Sequence, residues 1–282
     1  MRISIITVAL NSERHLGQTM ECALRQTSPP DEYIIIDGGS RDRTLEIANR
    51  YARDYPGVVR VVSEKDKGIY DAMNKGIRLA TGELIGIINS DDYYCQGVLA
   101  QLRSAFSRGG VPDVTHGDIY YCYEVDGQGK LVPWRRPDPA QCEMPVFHPS
   151  CFIAKQAYDR FGLYDERFRS AGDLDLILRF AGCGASFHRL DSFVACFRPG
   201  GFAAAHFWLA LAEQRRILHA YRGAWDANRV ALRRSVMEGS HWLKIRAAEL
   251  VCGSARMRAF REKRLKRAFL NAFWLPLSAS GW

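Results

Sequence analysis

Two adjacent carboxylates, Asp91 and Asp92, close the tetrad Asn89-Ser90-Asp91-Asp92 directly after the apolar run Leu84 to Ile88. Acids placed side by side repel unless positive charge lies near them, and hard oxygen ligands at a strand end suit Mg²⁺ or Mn²⁺ carrying a phosphate. The same four residues are good turn formers, so the tetrad alone favours a plain turn. Its neighbours change the balance. Asp37-Gly38-Gly39-Ser40 supplies a carboxylate, two flexible backbone positions and a hydroxyl, which suits close approach to ribose hydroxyls or a base N–H. The run Asp66 to Gly76 begins as a capped helix start, which accounts for Asp66 but not for the whole of it. Asp173 opens a helix whose apolar residues Leu174, Ile177, Leu178 and Ala181 recur at helical spacing. An acid there has its charged form favoured by the helix dipole and could take a proton, or it could simply cap the first turn.

The elements that must position these groups are legible in the apolar runs. Ile3 to Leu10, Tyr33 to Ile36, Val58 to Val62 and Leu84 to Ile88 read as strands, with helices expected near residues 13–26, 43–54 and 70–80. Strands that are continuously apolar and separated by helices specify parallel β-α-β units covered on both faces. The fold class is therefore α/β, a mostly parallel central sheet flanked by helices. Each strand ends in a polar cluster, and in an open parallel sheet such ends line one crevice, where ligands bind. Neither G-x-G-x-x-G nor a P-loop pattern is present, which argues against a dinucleotide dehydrogenase and a P-loop NTPase. From Pro112 onward short strands and turns are expected, with a hairpin tip at 125–129 among Tyr120, Tyr121, Tyr123 and Trp134. A helix near 155–160, the helix at Asp173 and a closing strand from Ser186 to Arg198 follow, then three helical stretches from Phe202 on.

The motifs Ile5 to Asn11, Ile36 to Ser40, Asp66 to Gly76 and Leu84 to Asp92 together resemble the family 2 glycosyltransferases, in particular the bacterial polysaccharide-synthesis branch. The resemblance spans about residues 1–200 and implies a GT-A fold, a nucleotide-diphosphate-sugar donor, a UDP-sugar ahead of GDP- or dTDP-sugars, a divalent Mn²⁺ or Mg²⁺ and inversion at the anomeric carbon. It divides the chain into a catalytic domain, 1–204, with a nucleotide-sugar half at 1–112 and an acceptor half at 113–204. It implies that Thr7, Asn11, Asp37, Asp66, Lys67 and Asn74 line the nucleotide pocket. Asn89-Ser90-Asp91 matches the family's D-x-D with Asn in first place, leaving Asp91 as main metal ligand and Asp92 in support. Asp173 matches the catalytic base, with Asp175 as the fallback and Gly172 where the family usually has Glu. His148 falls near the acceptor or diphosphate side. The physical logic agrees: an inverting displacement needs a base on one face of the sugar and charge neutralisation of the leaving diphosphate on the other.

Residues 205–282 carry 15 Lys and Arg against 5 Asp and Glu, a net +10, whereas the rest of the chain is at −2. Seven of these basic residues lie between Arg256 and Arg267, with Met257, Phe260, Leu265, Phe269 and Phe273 spaced as a helical stripe. A basic amphipathic helical tail of this kind reads as a surface for anionic lipid, here residues 255–282, or as a helix packed on the domain with a solvated cationic face. Nucleic acid is a third partner for such charge, but no nucleic-acid motif accompanies it. The eight cysteines form no C-x-x-C pair, no signal sequence is evident at the start and no segment is a confident membrane span. A cytoplasmic protein, peripheral on the inner face of the plasma membrane and acting on a glycan or polyprenyl-linked acceptor, is the expectation. Two alternatives stay open: a nucleotidyltransferase making nucleotide sugars, which should carry a Gly-rich loop where Asn11-Ser12-Glu13-Arg14 stands, and a nucleotide-sugar-binding subunit without catalysis.

Overall fold

The computed structural model describes residues 1–107, 109–125, 128–135 and 146–232. Strands β1 (Ile3–Ala9), β2 (Glu32–Asp37), β3 (Val59–Ser63) and β4 (Leu84–Ile87) lie parallel in the order β3-β2-β1-β4. Helices α1 (Leu16–Leu24), α2 (Thr44–Asp54) and α3 (Ile69–Leu79) connect them. β1 is buried along its whole length, which is why its sequence is continuously apolar rather than alternating. Ile3, Ile5, Tyr33 and Ile35 face α1, α2 and α4 (Val98–Ala105), while Ile6, Val8, Ile34 and Ile36 face α3. Each such side chain contributes about 1.5–3 kcal/mol by leaving water, so two apolar layers hold the strand ends in place.

Beyond β4 the sheet is mixed. It adds β5 (Tyr93–Tyr94), β6 (Val114–Val125), β7 (Gln128–Trp134), β8 (Phe152–Ala154) and β9 (Phe187–Phe197), giving the order β3-β2-β1-β4-β8-β6-β9-β5 with β7 paired to β6. β8 runs antiparallel to β4 and β6, whereas β9 runs parallel to β6 and antiparallel to β5. β6 and β7 form the hairpin expected around 125–129. Return of β9 beside β5 brings the end of β9 back to the residues that follow β4. The second half also contains a 3-10 turn at His148–Ser150, α5 (Lys155–Phe161), α6 (Gly172–Gly182), α7 (Phe202–Ala205) and α8 (Phe207–Arg222).

α8 packs on α6. Leu174 and Leu178 of α6 bury against Ile217 and Leu218 of α8, joined by Ala227 and Val230 from helical residues 224–232. The basic stretch Arg256 to Arg267, and with it the surface expected at 255–282, lies outside the described residues. Among the described residues, no helix is long and apolar enough to cross a membrane. The cysteines described are free thiols, with Cys122, Cys151 and Cys196 buried in the core and Cys183 exposed.

Candidate active site

The ends of the four parallel strands are tied to one another by side-chain hydrogen bonds. At the end of β1, the Asn11 N–H donates to Ser40 Oγ at 2.8 Å, and Asn11 Oδ1 accepts from the Arg41 N–H at 2.9 Å. Asn11 has a φ of 51°, and Asn tolerates this left-handed conformation better than most residues. Ser12 reaches the end of β4 through a 2.7 Å contact between its Oγ and that of Ser90. At the end of β2, Asp37 is fully buried and its carboxylate accepts from the Gly39 and Ser40 N–H groups and from Ser63 Oγ at 2.6 Å. The crevice expected at these ends is thus one connected polar rim.

Asp66 lies over Gly38: a Cβ at residue 38 would come within 2.3 Å of Asp66 Oδ2, so a larger residue there would turn the Asp66 carboxylate aside. Burial pushes the Asp66 carboxyl up, opposed by its hydrogen bond from the Gly68 N–H. Lys67 has an exposed side chain, and its N–H donates to Asp71 Oδ2 at 2.9 Å. Two expected pocket residues are committed elsewhere. Thr7 is wholly buried with its hydroxyl 3.0 Å from Tyr33 Oη, so it supports the sheet from below. Asn74 clamps the backbone of Tyr164, donating to its carbonyl at 2.9 Å and accepting from its N–H at 3.0 Å, and also donates to Glu166. Helical periodicity puts Asn74 on the α3 face turned toward that segment rather than toward the strand ends.

The tetrad separates into two unlike acids. Asp91 is half-buried, and its carboxylate has no hydrogen-bond partner among the described residues. Asp92 is fully buried: Oδ1 accepts from the Arg198 N–H at 2.8 Å and Oδ2 from Asn89 Nδ2 at 3.3 Å. Burial, reinforced by the neighbouring Asp91 charge, holds the Asp92 carboxyl well above the usual range. Arg198, just past β9, donates to the Asp91 carbonyl and to Gln18 Oε1 of α1 at 2.5 Å, and its guanidinium lies 5.2 Å from the Tyr93 ring centre. Asp92 is therefore a structural acid, while Asp91 is the carboxylate open to a ligand.

Hard-cation chemistry fits this strand end in a restricted way. Asn89 Oδ1 is a buried oxygen with no hydrogen-bond partner, and it belongs to the same tetrad as Asp91. One carboxylate and one amide oxygen suit a divalent ion that keeps several of its positions for phosphate and water. Among the described residues, no three Cys, His, Asp or Glu side chains converge as a closed metal cage.

A second cluster surrounds Asp173 at the start of α6. Tyr70 Oη lies 3.5 Å from Asp173 Oδ1 and 3.4 Å from its backbone nitrogen, and Oδ1 also accepts from the Leu174 N–H at 2.9 Å. Burial, then the Asp173 charge, pushes the Tyr70 phenol well up, so it stays protonated and able to donate. Gly172 is explained by the same tyrosine: a Cβ there would lie 2.8 Å from Tyr70 Cε2. Tyr70 stacks on Tyr164 with ring centres 5.4 Å apart, and Tyr164 Oη is 2.8 Å from His148 Nε2. Burial lowers the His148 pKa, partly opposed by Asp173. Asp175 is directed away, because two residues along a helix turn it through about 200°. Its carboxylate accepts from Tyr221 Oη at 3.1 Å and pairs with Arg179 at 3.6 Å. The fallback acid is thus occupied in the contact of α6 with α8.

Three contributors were not among the expected residues. Tyr70 lay inside a quoted motif, Arg198 is the cation closing the apolar strand Phe193 to Phe197, and Glu213 is the lone acid between Ala205 and Trp225. Glu213 accepts from the N–H groups of Arg169, Ser170 and Ala171.

A sheet covered by helices on both faces, with a polar rim at the ends of its parallel strands, is the arrangement of the GT-A fold. The chain belongs to glycosyl transferase family 2, whose model matches residues 4–164. It is 29% identical over 177 residues to a PGL/p-HBAD biosynthesis glycosyltransferase of Mycobacterium tuberculosis, covering 62% of this chain and 68% of that one. It is 28% identical over 193 residues to chondroitin synthase of Escherichia coli, covering 66% of this chain and 27% of that protein. Among solved structures, S. aureus TarS 1-349 in complex with UDP-GlcNAc has a TM-score of 0.57 at 18% identity, covering 82% of this chain and 70% of that one. Mannosyltransferase PcManGT from Pyrobaculum calidifontis matches with a TM-score of 0.57 at 19% identity, covering 96% of this chain and 88% of that one.

Proposed function

We propose that this chain is an inverting glycosyltransferase that moves a sugar from a nucleotide diphosphate, a UDP-sugar first, to a hydroxyl of a lipid-linked or growing glycan. The observation that carries the reading is the contrast among the acids: Asp37, Asp92 and Asp175 are buried and bonded inside the fold, while Asp91 and Asp173 keep access to solvent. Donor chemistry is supported by fold neighbours solved with UDP-GlcNAc, with UDP, and with GDP-Man and Mn²⁺. In this reading Asn11, Asp66 and Lys67 line the nucleotide side, where buried Asp37 braces the loop through Gly39, Ser40 and Ser63, and residues 113–204 form the acceptor side. Asp91, with Asn89, would hold a divalent ion, which when bound neutralises charge on the leaving diphosphate. Asp173 takes the acceptor hydroxyl proton as the new C1–O bond forms and the C1–O bond to phosphate breaks, releasing the nucleoside diphosphate. Tyr70 orients the Asp173 carboxylate, and buried neutral His148 supports Tyr164 beneath it.

Thermal-shift measurement with UDP-Glc, UDP-GlcNAc, UDP-Gal, GDP-Man and dTDP-rhamnose, each with and without Mn²⁺, tests the donor side. A donor at about a hundred-fold excess over Kd adds about 2.7 kcal/mol, a rise of several degrees. Release of nucleoside diphosphate from that donor then tests the base: Asp173→Asn is expected to lower turnover by about 10²–10⁴ with donor binding kept. Near wild-type turnover in that variant would remove Asp173 from the role.

A further inference from the structure

We infer that Glu213, on α8, is a positioning residue for the acid at the start of α6, so that α8 forms part of the catalytic apparatus. The inference rests on Asp173 being the base. Ala171, the N-cap of α6, has no side-chain oxygen, and the first N–H groups of the helix are met instead by Tyr70 Oη at Asp173 and by Asp173 Oδ1 at Leu174. Nor can residue 172 supply an acid, since Tyr70 fills the space beside its Cα. The loop that leads into α6 is held from another element. Glu213 Oε1 accepts from the Arg169 N–H at 2.9 Å, and Oε2 accepts from the Ser170 and Ala171 N–H groups at 2.9 and 3.0 Å. Both oxygens are used, on three successive backbone donors, which fixes the path of the chain immediately before Asp173.

Tyr70 completes the arrangement from the opposite side, meeting both the backbone nitrogen and the carboxylate of Asp173. Asp173 is thus held from α3 and its approach loop from α8. The helix that carries Glu213 is itself seated by Ile217 and Leu218 against Leu174 and Leu178. Glu213 does not cap the helix itself; it holds the three residues that lead into it, up to the N-cap Ala171, and only when α8 is docked. Removing it leaves three N–H groups to water and frees the loop, moving the base by the fraction of an ångström that matters for proton transfer.

The test compares Glu213→Gln, Glu213→Ala and Asp173→Asn in the full chain, reading nucleoside diphosphate release from the donor selected by thermal shift, donor KM, and amide hydrogen exchange at residues 169–173. Glu213→Gln keeps size and one accepting oxygen; it is expected to lower kcat about tenfold with donor KM within about twofold of wild type. Glu213→Ala should lower kcat further, and exchange at 169–171 should quicken in both. If Glu213→Gln and Glu213→Ala retain wild-type kcat per folded molecule while Asp173→Asn is inactive, the inference is wrong and the base assignment stands. If Asp173→Asn itself turns over donor normally, the base assignment has failed instead. A fall in thermal stability without the kcat change would likewise reduce Glu213 to a purely structural brace.

Discussion

Asn89, at the end of β4, is tied to its neighbouring acid through its amide. Nδ2 donates to Asp92, a carboxyl sealed in the fold, and an aspartate in its place would remove that donor and set a further acid beside Asp92 and Asp91. Asn89→Asp is therefore expected to lose about 1–3 kcal/mol without metal, a fall of roughly 2–10 °C in melting temperature. Added Mn²⁺ should narrow that gap, because the cation offsets the repulsion that the amide now avoids. An unchanged melting temperature in metal-free buffer would show that Asp92 does not depend on this donor. The two acids of the tetrad could be found in the sequence and ranked by the resemblance, but the difference in their burial could not be read there. Their difference comes from Arg198, whose N–H reaches Asp92 and whose guanidinium binds the Asp91 carbonyl. Nothing local to residues 89–92 encodes it. Thr7 and Asn74 illustrate the same limit, since each has a suitable polar group that the fold turns toward another protein atom.

At the scale of elements, α6 faces two ways, with Asp173 toward Tyr70 and Leu174 and Leu178 toward α8. Leu218, which is completely buried, sits at that contact. Leu218→Ala is expected to cost about 2–5 kcal/mol through lost burial and the cavity left behind. Its more specific effect should be faster amide exchange at 169–171, because Glu213 rides on the same helix; unchanged exchange there would uncouple the seat of α8 from the base loop. The parallel β-α-β half was readable because its apolar runs are long and its helices strongly periodic. The mixed half was harder. β5 is two residues long and β8 three, lengths at which apolar periodicity carries no information. The strand expected at 186–198 could be read, yet its partners, β5 on one side and β6 on the other, are fixed only by tertiary packing.

For the molecule as a whole, charge is divided as sharply as structure, with +10 on residues 205–282 and −2 on the rest. We propose that this end of the chain meets an anionic membrane surface on the cytoplasmic side. Flotation with vesicles of anionic and neutral lipid should give recovery with the anionic ones that falls as salt rises from about 0.05 to 0.5 M. Equal recovery with neutral vesicles, or none with either, would discard the idea. The sign and place of the charge were evident from composition, and the docking of α8 was not, because that helix is half buried by a face it shares with α6. One contact in the site also sets an order of assembly. Arg198 bonds Gln18 across 180 residues of chain and holds the Asp91 backbone on the way. During synthesis, the N-terminal strands can pair while the ribosome is still making the second half. The acid that would meet the diphosphate acquires its final backbone support only after residue 198 has emerged. A nascent chain stopped short of β9 would hold the parallel half of the sheet with an unfinished site, so that half can form before the catalyst does.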